Sequence, residues 1–504
     1  MKVLQALSFM AFASCIAALS LPIADGNFTQ PTARSKSSVL PNVAVVWGAC
    51  NPPKPPLQCA TLQVPVDYAN PTGAMTQIGM MRSTATNPAS RKGTIVYLPG
   101  GPGGAASSLF TDPAFSNYFS SAKVVYDILA IDPRGIGLSL NFACNTATWN
   151  ARVNYFPTTA ADFAALTDHN LNSGMSCAPA NLMSTLNTLT IVRDIESVRV
   201  ALGVTQFSFF GDSYGSLTGV TYLEQFPGQT QIMVLDGITD HTQPALNLLP
   251  IAATAIETAF NAWVAWCNAA TVADCPWSGN AAAQFDALVQ QADLAALPAP
   301  SCVTSGLCRS TVTGHELLLA LQFYLSGLNQ TDLTPWRGLA ANLAGAHTDA
   351  GPFSILLADN TPAQSEFYAI TGMLCADWTH PWTTLAQVTA QETALANLAP
   401  HTRGASIFWL IQTLCIKWPY PTSFPEHPLK VAPHSPPVVL ISSQQDPATP
   451  LVGAQRVQQQ IPGSVLMTRT GSGHGSYRNN GAVHTAVEAF FVSGTVPQTA
   501  IYPN

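Results

Sequence analysis

The sequence predicts an α/β protein in which a mostly parallel central sheet carries a large inserted helical domain. Short apolar strands alternate with helix-compatible segments from Thr61 to Asp236. Two further strands follow Pro437, and about 200 residues rich in alanine and leucine separate them from the first set. That separation is far longer than an ordinary connection, so these residues must form a domain of their own.

The 504-residue chain is too long for one compact core, and we divide it into four parts. Residues 1–20 are a predicted signal peptide, 21–240 the first part of the sheet core, 241–432 a helical cap, and 433–504 the C-terminal part of the core. Alanine- and leucine-rich segments predict the cap helices Ile251–Ala270, Ala281–Ala296, His315–Leu328 and Leu385–Leu398.

In the first part of the core, each predicted strand is an apolar run that ends in turn-forming residues. Thr94–Leu98 leads into a proline- and glycine-rich loop at 99–104, and Val124–Ile131 leads into a turn with Asp132 and Arg134. We expect those two charged residues to brace the turn, since a charged pair flanked by glycines more often supports a loop than attacks a substrate.

The next elements predict a helix and then a strand, a sharp turn and a second helix. Asn187–Gly203 is a predicted helix whose charged residues, Asp194 and Glu196 among them, mark a largely solvated side. The apolar run Gln206–Phe210 precedes a G-x-S-x-G pentapeptide at 211–215, and a helix-compatible segment follows it. This is the context of a nucleophile elbow, which predicts Ser213 as the nucleophile.

A serine nucleophile requires a histidine base and a carboxylate that orients the histidine. The strand Pro437–Ile441 runs on to Asp446, and the strand Ser464–Thr468 runs on to His474, which is flanked by glycines. Both residues therefore follow a predicted strand in the order Ser, Asp, His. Asp236, at the end of another predicted strand, is the competing carboxylate. We prefer Asp446 because the loop before the histidine strand is the commoner position of the acid.

Acyl transfer also requires backbone N–H donors aimed at the developing oxyanion. One donor is predicted at Tyr214, the residue after the nucleophile. The proline- and glycine-rich loop at 99–104 follows a strand and lies upstream of the elbow, so we expect the second donor there, at Gly101.

These motifs together carry a family resemblance. The set consists of PGGPGG at 99–104, DPRGIGLS at 132–139, GDSYGS at 211–216, LDGITD at 235–240, DPATP at 446–450 and GSGHG at 471–475. From about Trp47 to the C-terminus the chain resembles the α/β-hydrolase peptidases that include proline iminopeptidase and, more closely, the secreted tripeptidyl aminopeptidases. The resemblance implies the α/β-hydrolase fold, a helical cap, and a triad of Ser213, Asp446 and His474. The iminopeptidase oxyanion motif begins with histidine, where this chain has Pro99. The chain departs here from the iminopeptidases proper, and the resemblance therefore does not imply strict proline preference.

The resemblance implies a secreted serine exopeptidase that acts on peptides with a free N-terminus. A carboxylate in the cap would pair with the substrate ammonium, which an internal peptide bond lacks. Asp377 is the leading candidate. Residues 375–377 and 415–419 are similar to cap-end signatures of the tripeptidyl aminopeptidases. Glu366 and Glu257 are the other candidates, and for each of the three the alternative is a solvated helix charge. A carboxylesterase or lipase on the same fold is the alternative function, and a catalytically silent binding protein is the third reading.

The N-terminus and the cysteines both indicate export to the cell exterior. Residues 1–20 combine a positive start, an apolar run and small residues at the cleavage position, and a retained membrane anchor is the alternative. Without the signal cysteine, ten cysteines remain, and an even number suggests disulfides whose connectivity the sequence leaves open. The hypothesis that sequential neighbours pair gives Cys50–Cys59, Cys144–Cys177, Cys267–Cys275, Cys302–Cys308 and Cys375–Cys415. Asn27 and Asn329 are predicted glycan acceptors.

Charge content and cysteine spacing limit the classes of partner and cofactor that the sequence supports. Charged residues make up 9% of the chain and the formal net charge is −7 with no basic patch, which argues against nucleic-acid binding. The cysteine spacings lack zinc-ligand patterns, and the chemistry calls for neither a metal nor an organic cofactor. We expect a monomer that is free of the membrane once the signal is removed.

Overall fold

The computed structural model describes residues 44–327, 334–358, 362–433, 435–479 and 481–503. The predicted signal peptide and both predicted glycan acceptors, Asn27 and Asn329, lie outside the described residues. The strands are β1 (Gly48–Ala49), β2 (Gln58–Pro65), β3 (Met75–Ser83), β4 (Gly93–Leu98), β5 (Tyr126–Ile131), β6 (Phe207–Asp212), β7 (Thr230–Asp236), β8 (Leu297–Pro298), β9 (Thr311–Val312), β10 (Val438–Gln445), β11 (Val465–Ser472) and β12 (Ala500–Tyr502).

Sixteen α-helices are present in the described residues. They are α1 (Ala122–Val125), α2 (Thr146–Asn150), α3 (Ala160–Met175), α4 (Ala180–Met183), α5 (Thr188–Ala201), α6 (Tyr214–Gln225), α7 (Ala245–Ala269), α8 (Ala281–Leu294), α9 (Pro300–Ser305), α10 (Gly314–Leu325), α11 (Thr334–Gly345), α12 (Pro362–Asp377), α13 (Leu385–Leu398), α14 (Ile407–Leu414), α15 (Leu451–Gln460) and α16 (Ala482–Ser493).

The central sheet has ten strands in the order β1-β2-β3-β5-β4-β6-β7-β10-β11-β12. The pairs from β5 to β12 are parallel, and only the β1–β2, β2–β3 and β3–β5 pairs are antiparallel. Crossovers of this kind place the carboxyl ends of β4, β6, β7, β10 and β11 at one edge of the sheet. The predicted α/β-hydrolase fold with a mostly parallel sheet is confirmed, and this edge carries the candidate site.

Both faces of the central strands are buried. Along β4, Val96 and Leu98 belong to one apolar cluster, whereas Ile95 and Tyr97 belong to another on the opposite face. This alternation explains why the parallel strands are continuous apolar runs in the sequence. The first cluster continues from the sheet into the inserted helices, where it includes Trp263.

The insertion between β7 and β10 contains α7 to α14 and the small two-stranded sheet of β8 and β9. Its first helix begins at Ala245, earlier than predicted, and accommodates Pro250 in its second turn. Among the described residues, α7 alone has the length and apolar composition of a membrane span, and half of its most apolar stretch is buried in the protein. Core helices of water-soluble proteins share that composition.

One expectation about α5 is wrong. Asp194 and Glu196 are buried rather than solvated, with exposed fractions of 2% and 8%. Asp194 forms a buried ion pair with Arg134 at 2.7 Å, and Glu196 pairs with Arg199 and accepts a hydrogen bond from Tyr222. The partner of Asp194 lies 60 residues away in the sequence, so the local pattern of charges could not reveal it. The other expectation holds, since Asp132 accepts the Leu138 N–H within the turn and Arg134 joins the turn to α5 through Asp194.

Candidate active site

Ser213 occupies a strained turn between β6 and α6. Its backbone has φ 56° and ψ −119°, a region that residues with a side chain rarely adopt. A Cβ on Gly211 would lie 2.6 Å from the Gly215 carbonyl oxygen, and a Cβ on Gly215 would overlap the Leu98 carbonyl. Both flanking glycines are therefore required for the close approach of strand and helix. The turn holds the Ser213 side chain at the sheet edge, where it lines a cavity.

Asp446 and His474 form a hydrogen-bonded pair beside this cavity. His474 Nδ1 lies 2.9 and 3.0 Å from the two carboxylate oxygens of Asp446. The carboxylate also accepts the N–H groups of Ala448 and Thr449 and the hydroxyl of Thr449, at 2.8 to 3.1 Å. His474 Nε2 is buried and has no partner among the described residues, and its ring lines the same cavity as Ser213. The opposite nitrogen of the imidazole is thus free to accept a proton at the cavity.

Three carboxylates raise the pKa of His474. Burial by itself would lower it, but the Asp446 carboxylate, with Asp212 and Asp236 behind it, outweighs burial and raises the pKa above the usual 6.5. An imidazolium at this position is therefore stabilised, as a base that becomes charged during the reaction requires.

Asp236, the competing carboxylate, forms no hydrogen bond with the His474 imidazole among the described residues. One of its oxygens accepts the N–H groups of Ser476 and Tyr477 at 2.6 and 2.7 Å, and its main-chain carbonyl accepts the N–H of Ser213 at 2.7 Å. Burial and the neighbouring Asp212 raise the pKa of Asp236 to about 6. Asp236 thus braces both the Ser213 turn and the His474 loop.

The two predicted oxyanion donors lie beside Ser213. Gly101 and Tyr214 line the same cavity, and a Cβ on the adjacent Gly100 would lie 2.9 Å from Ser213 Cβ. Among the described loops and turns, neither the Gly101 nor the Tyr214 N–H finds a carbonyl acceptor. Both N–H groups are thus available to a ligand oxygen.

The cavity has a volume of about 190 Å³, and the cap supplies most of its wall. The apolar lining comes from Leu374, Trp378, Ile407, Phe408 and Ile411. Helix α10 adds Gln322 and Phe323. Ser326, which directly follows the helix, also lines the cavity, and its carbonyl accepts the His474 N–H at 2.9 Å. Sequence reasoning missed these cap residues, because an insertion that folds back over the sheet leaves no local pattern in the chain.

None of the three predicted ammonium partners is among the described residues that line the cavity. Asp377 is fully buried, and it accepts the Thr188 N–H and hydroxyl and the Tyr214 hydroxyl at 2.7 to 3.3 Å. Glu257 accepts two N–H groups and a hydroxyl from residues 401 and 402 within the cap. Both carboxylates are saturated by protein donors and have no room for an ammonium group.

Glu366 differs from both, because it is only half-buried. Burial raises the pKa of its carboxyl to about 7, with the Asp132 carboxylate adding to the shift and a hydrogen bond from the Ala105 backbone opposing it. Ala105 directly follows the oxyanion loop. Of the three candidates, Glu366 is therefore the one whose carboxyl contacts the segment that follows the oxyanion loop.

The ten cysteines in the described part of the chain form five disulfides between sequential neighbours: Cys50–Cys59, Cys144–Cys177, Cys267–Cys275, Cys302–Cys308 and Cys375–Cys415. Among the described residues, one group brings possible metal-ligating atoms together, namely Cys375, His380 and Cys415 within 4.8 Å. Since the two sulfurs are bonded to each other, this group offers no thiolate to a metal.

The chain is similar to known serine hydrolases. The family model of the TAP-like proteins matches residues 402–502, which include Asp446 and His474. Serine protease Hip1 of Mycobacterium tuberculosis is 26% identical over 90% of this chain and 89% of its own. Tripeptidyl aminopeptidase of Streptomyces lividans is 26% identical over 89% and 84%, and carboxylesterase B of M. tuberculosis is 28% identical over 88% and 86%.

Proposed function

We propose that this chain, a serine hydrolase of the α/β-hydrolase fold related to the TAP-like proteins, is an exported exopeptidase that releases short peptides from a free N-terminus. Ser213 Oγ attacks the scissile carbonyl carbon while His474 Nε2 takes the hydroxyl proton. The N–H groups of Gly101 and Tyr214 stabilise the oxyanion. Collapse breaks the C–N bond, and His474 returns the proton to the departing amine. Water, deprotonated by His474, then hydrolyses the acyl-enzyme and restores Ser213.

The position of Glu366 on α12 carries the exopeptidase proposal. Glu366, Ile370 and Leu374 are spaced four residues apart and therefore share one face of the helix. Leu374 lines the cavity beside Ser213, and a Cβ on Gly103 of the oxyanion loop would lie 3.0 Å from Ile370 Cγ1. The helical rise from Leu374 to Glu366 is about 12 Å, and three extended residues span about 10 Å. This similarity of lengths supports the assignment of the Glu366 carboxylate to the ammonium of a tripeptidyl group.

The ionisation of Glu366 gives this assignment a pH signature. Because its pKa is about 7 in the free protein, an ammonium ligand binds best above that pH, when the carboxyl is ionised. The α-amino group of a peptide loses its proton at about 7.7 to 8.0. KM for a free-amino substrate should therefore be lowest in the narrow interval between these two values.

The test compares a chromogenic Ala-Ala-Pro amide with its N-acetylated form. We expect the wild type to cleave the free amide and Ser213→Ala to cleave neither. Glu366→Gln should raise KM for the free amide about tenfold, because one charge-assisted hydrogen bond is lost. The same variant should leave any activity on the acetylated amide unchanged. The matched control is Glu392→Gln, which removes another half-buried cap glutamate whose pKa is raised by burial. Equal losses on both substrates would contradict the ammonium assignment.

A carboxylesterase is the second candidate. The apolar cavity wall and the relative named carboxylesterase B favour it. The same assay distinguishes the two functions, because turnover of a short acyl ester with every amide untouched would identify an esterase.

Export is supported by the five disulfides, which persist in oxidising compartments. The apolar N-terminal sequence at residues 1–20 agrees with it. The monomeric state stays a prediction, and size-exclusion chromatography of the mature protein tests it.

A further inference from the structure

Gln322 is the one side-chain amide among the described residues that line the cavity. It lies on α10, is 4% exposed, and lines the cavity together with Ser213 and His474. Its Nε2 is completely enclosed and donates to no partner among the described residues. A buried donor without an acceptor costs free energy that a ligand acceptor can recover.

The position of Gln322 is fixed relative to the catalytic base. The Ser326 N–H and hydroxyl both donate to the Gln322 carbonyl, at 2.9 and 2.7 Å, one helical turn along α10. The Ser326 carbonyl in turn accepts the His474 N–H at 2.9 Å. A single turn of helix therefore connects the backbone of Gln322 to the backbone of His474, and both residues line the cavity that holds Ser213.

The NH₂ group of Gln322 needs a hydrogen-bond acceptor on the ligand. Only some classes of substrate supply one. A peptidyl group carries a main-chain carbonyl at each residue beyond the scissile bond, whereas a simple alkanoyl group carries none. A site built to donate to a substrate group discriminates strongly against an analogue that lacks it.

We propose that Gln322 Nε2 donates a hydrogen bond to a main-chain carbonyl oxygen on the acyl side of the scissile bond, and that it makes the cavity select peptidyl over alkanoyl substrates. This assignment rests on the proposed peptidase function and names a residue that determines its specificity. The Gln322 assignment does not involve Glu366, whose proposed ligand is the charged N-terminus and not the peptide backbone.

The test uses two variants and the ratio of two activities. Gln322→Met keeps the length of the side chain and removes the donor, and Gln322→Glu keeps the shape and replaces the donor by an acceptor. The substrates are the Ala-Ala-Pro amide and a p-nitrophenyl butyrate ester. For both variants, the ratio of kcat/KM for the peptide to that for the butyrate should fall about tenfold, as expected for one lost hydrogen bond. The control is Gln291→Met at an exposed position of α8, for which the ratio should stay within twofold.

Equal losses on both substrates, or no change in the ratio in variants that melt within a few degrees of the wild type, would overturn the assignment. A wild type that cleaves esters only would refute the peptidase function separately. Gln322 is then tested with the p-nitrophenyl ester of N-acetylalanine, whose acyl group retains one amide carbonyl. In Gln322→Met, the ratio of kcat/KM for that ester to kcat/KM for the butyrate should fall about tenfold. An unchanged ratio would overturn the assignment.

Discussion

Replacement of Asp377 tests whether this buried carboxylate is structural. It accepts the Thr188 N–H and hydroxyl and the Tyr214 hydroxyl, so Asp377→Ala leaves three buried donors without an acceptor. Each costs about 1 to 3 kcal/mol, and partial relaxation brings the expected loss of unfolding free energy to about 3 to 5 kcal/mol. Asp377→Asn keeps one acceptor oxygen and should lose about 1 kcal/mol.

The charge of Asp377 adds a pH dependence with a definite sign. Burial raises its pKa to about 7 from the usual 3.8, so the folded protein holds this proton more tightly than the unfolded chain does. Its contribution to stability is fully present below pH 3.8 and is lost as the pH rises through about 7. Asp377→Asn should flatten that part of the pH profile.

Urea unfolding of the oxidised protein, followed by tryptophan fluorescence at pH 5 and pH 8, measures both effects. Tyr214→Phe removes one of the three donors, and in combination with Asp377→Asn it isolates their coupling in a double-mutant cycle. The structural assignment is refuted if Asp377→Ala unfolds at the wild-type midpoint. It is also refuted if KM rises for free-amino peptides alone, because that result would make Asp377 the ammonium partner.

Three further outcomes follow from the site and the cap. The acid limb of kcat/KM should have its midpoint above pH 6.5, because His474 must be neutral to act as a base and its pKa is raised; a midpoint below 6 would contradict this electrostatic account. Replacing both Cys375 and Cys415 by serine opens a loop with a sequence separation of 40 and should cost roughly 4 kcal/mol in thermal or urea unfolding, whereas an unchanged midpoint would show that packing alone holds this part of the cap. Gly215→Ala should lower the yield of folded protein sharply, since its Cβ would overlap a strand carbonyl, and a variant as stable as the wild type would show that the elbow tolerates a side chain.

The fold could be predicted because the buried parallel strands are continuous apolar runs. The predicted strand Thr94–Leu98 differs from β4 by one residue, and the helix Leu385–Leu398 coincides with α13. The strand predicted to end at Ile441 is longer in the structure, where β10 continues to Gln445. Ser442 and Ser443 are fully buried there. A search for hydrophobic residues does not identify buried polar residues as part of a strand.

The candidate site could be predicted where it depends on short motifs and not where it depends on the cap. The sequence motifs point to Ser213 and His474, because glycines and strand ends mark them locally. The burial of Asp377 and the placement of Gln322 both result from contacts between residues far apart in the chain. Charge in a sequence indicates that a carboxylate is present, but only packing decides whether protein donors already occupy it.

The choice between Asp446 and Asp236 depends on how far along two neighbouring strands each residue lies. β7 and β10 are paired in parallel with Asp236 opposite Ile441, so Asp446 lies five residues further along the chain, beyond the edge where the His474 loop passes. Asp236 instead holds that loop through two N–H groups. Asp446→Asn should therefore lower kcat about 10⁴-fold by favouring the wrong imidazole tautomer, whereas Asp236→Asn should act chiefly on stability and lower the pKa of His474. Comparable losses of kcat in the two variants, at equal melting temperatures, would mean that the two carboxylates share the role that this geometry gives to Asp446 alone.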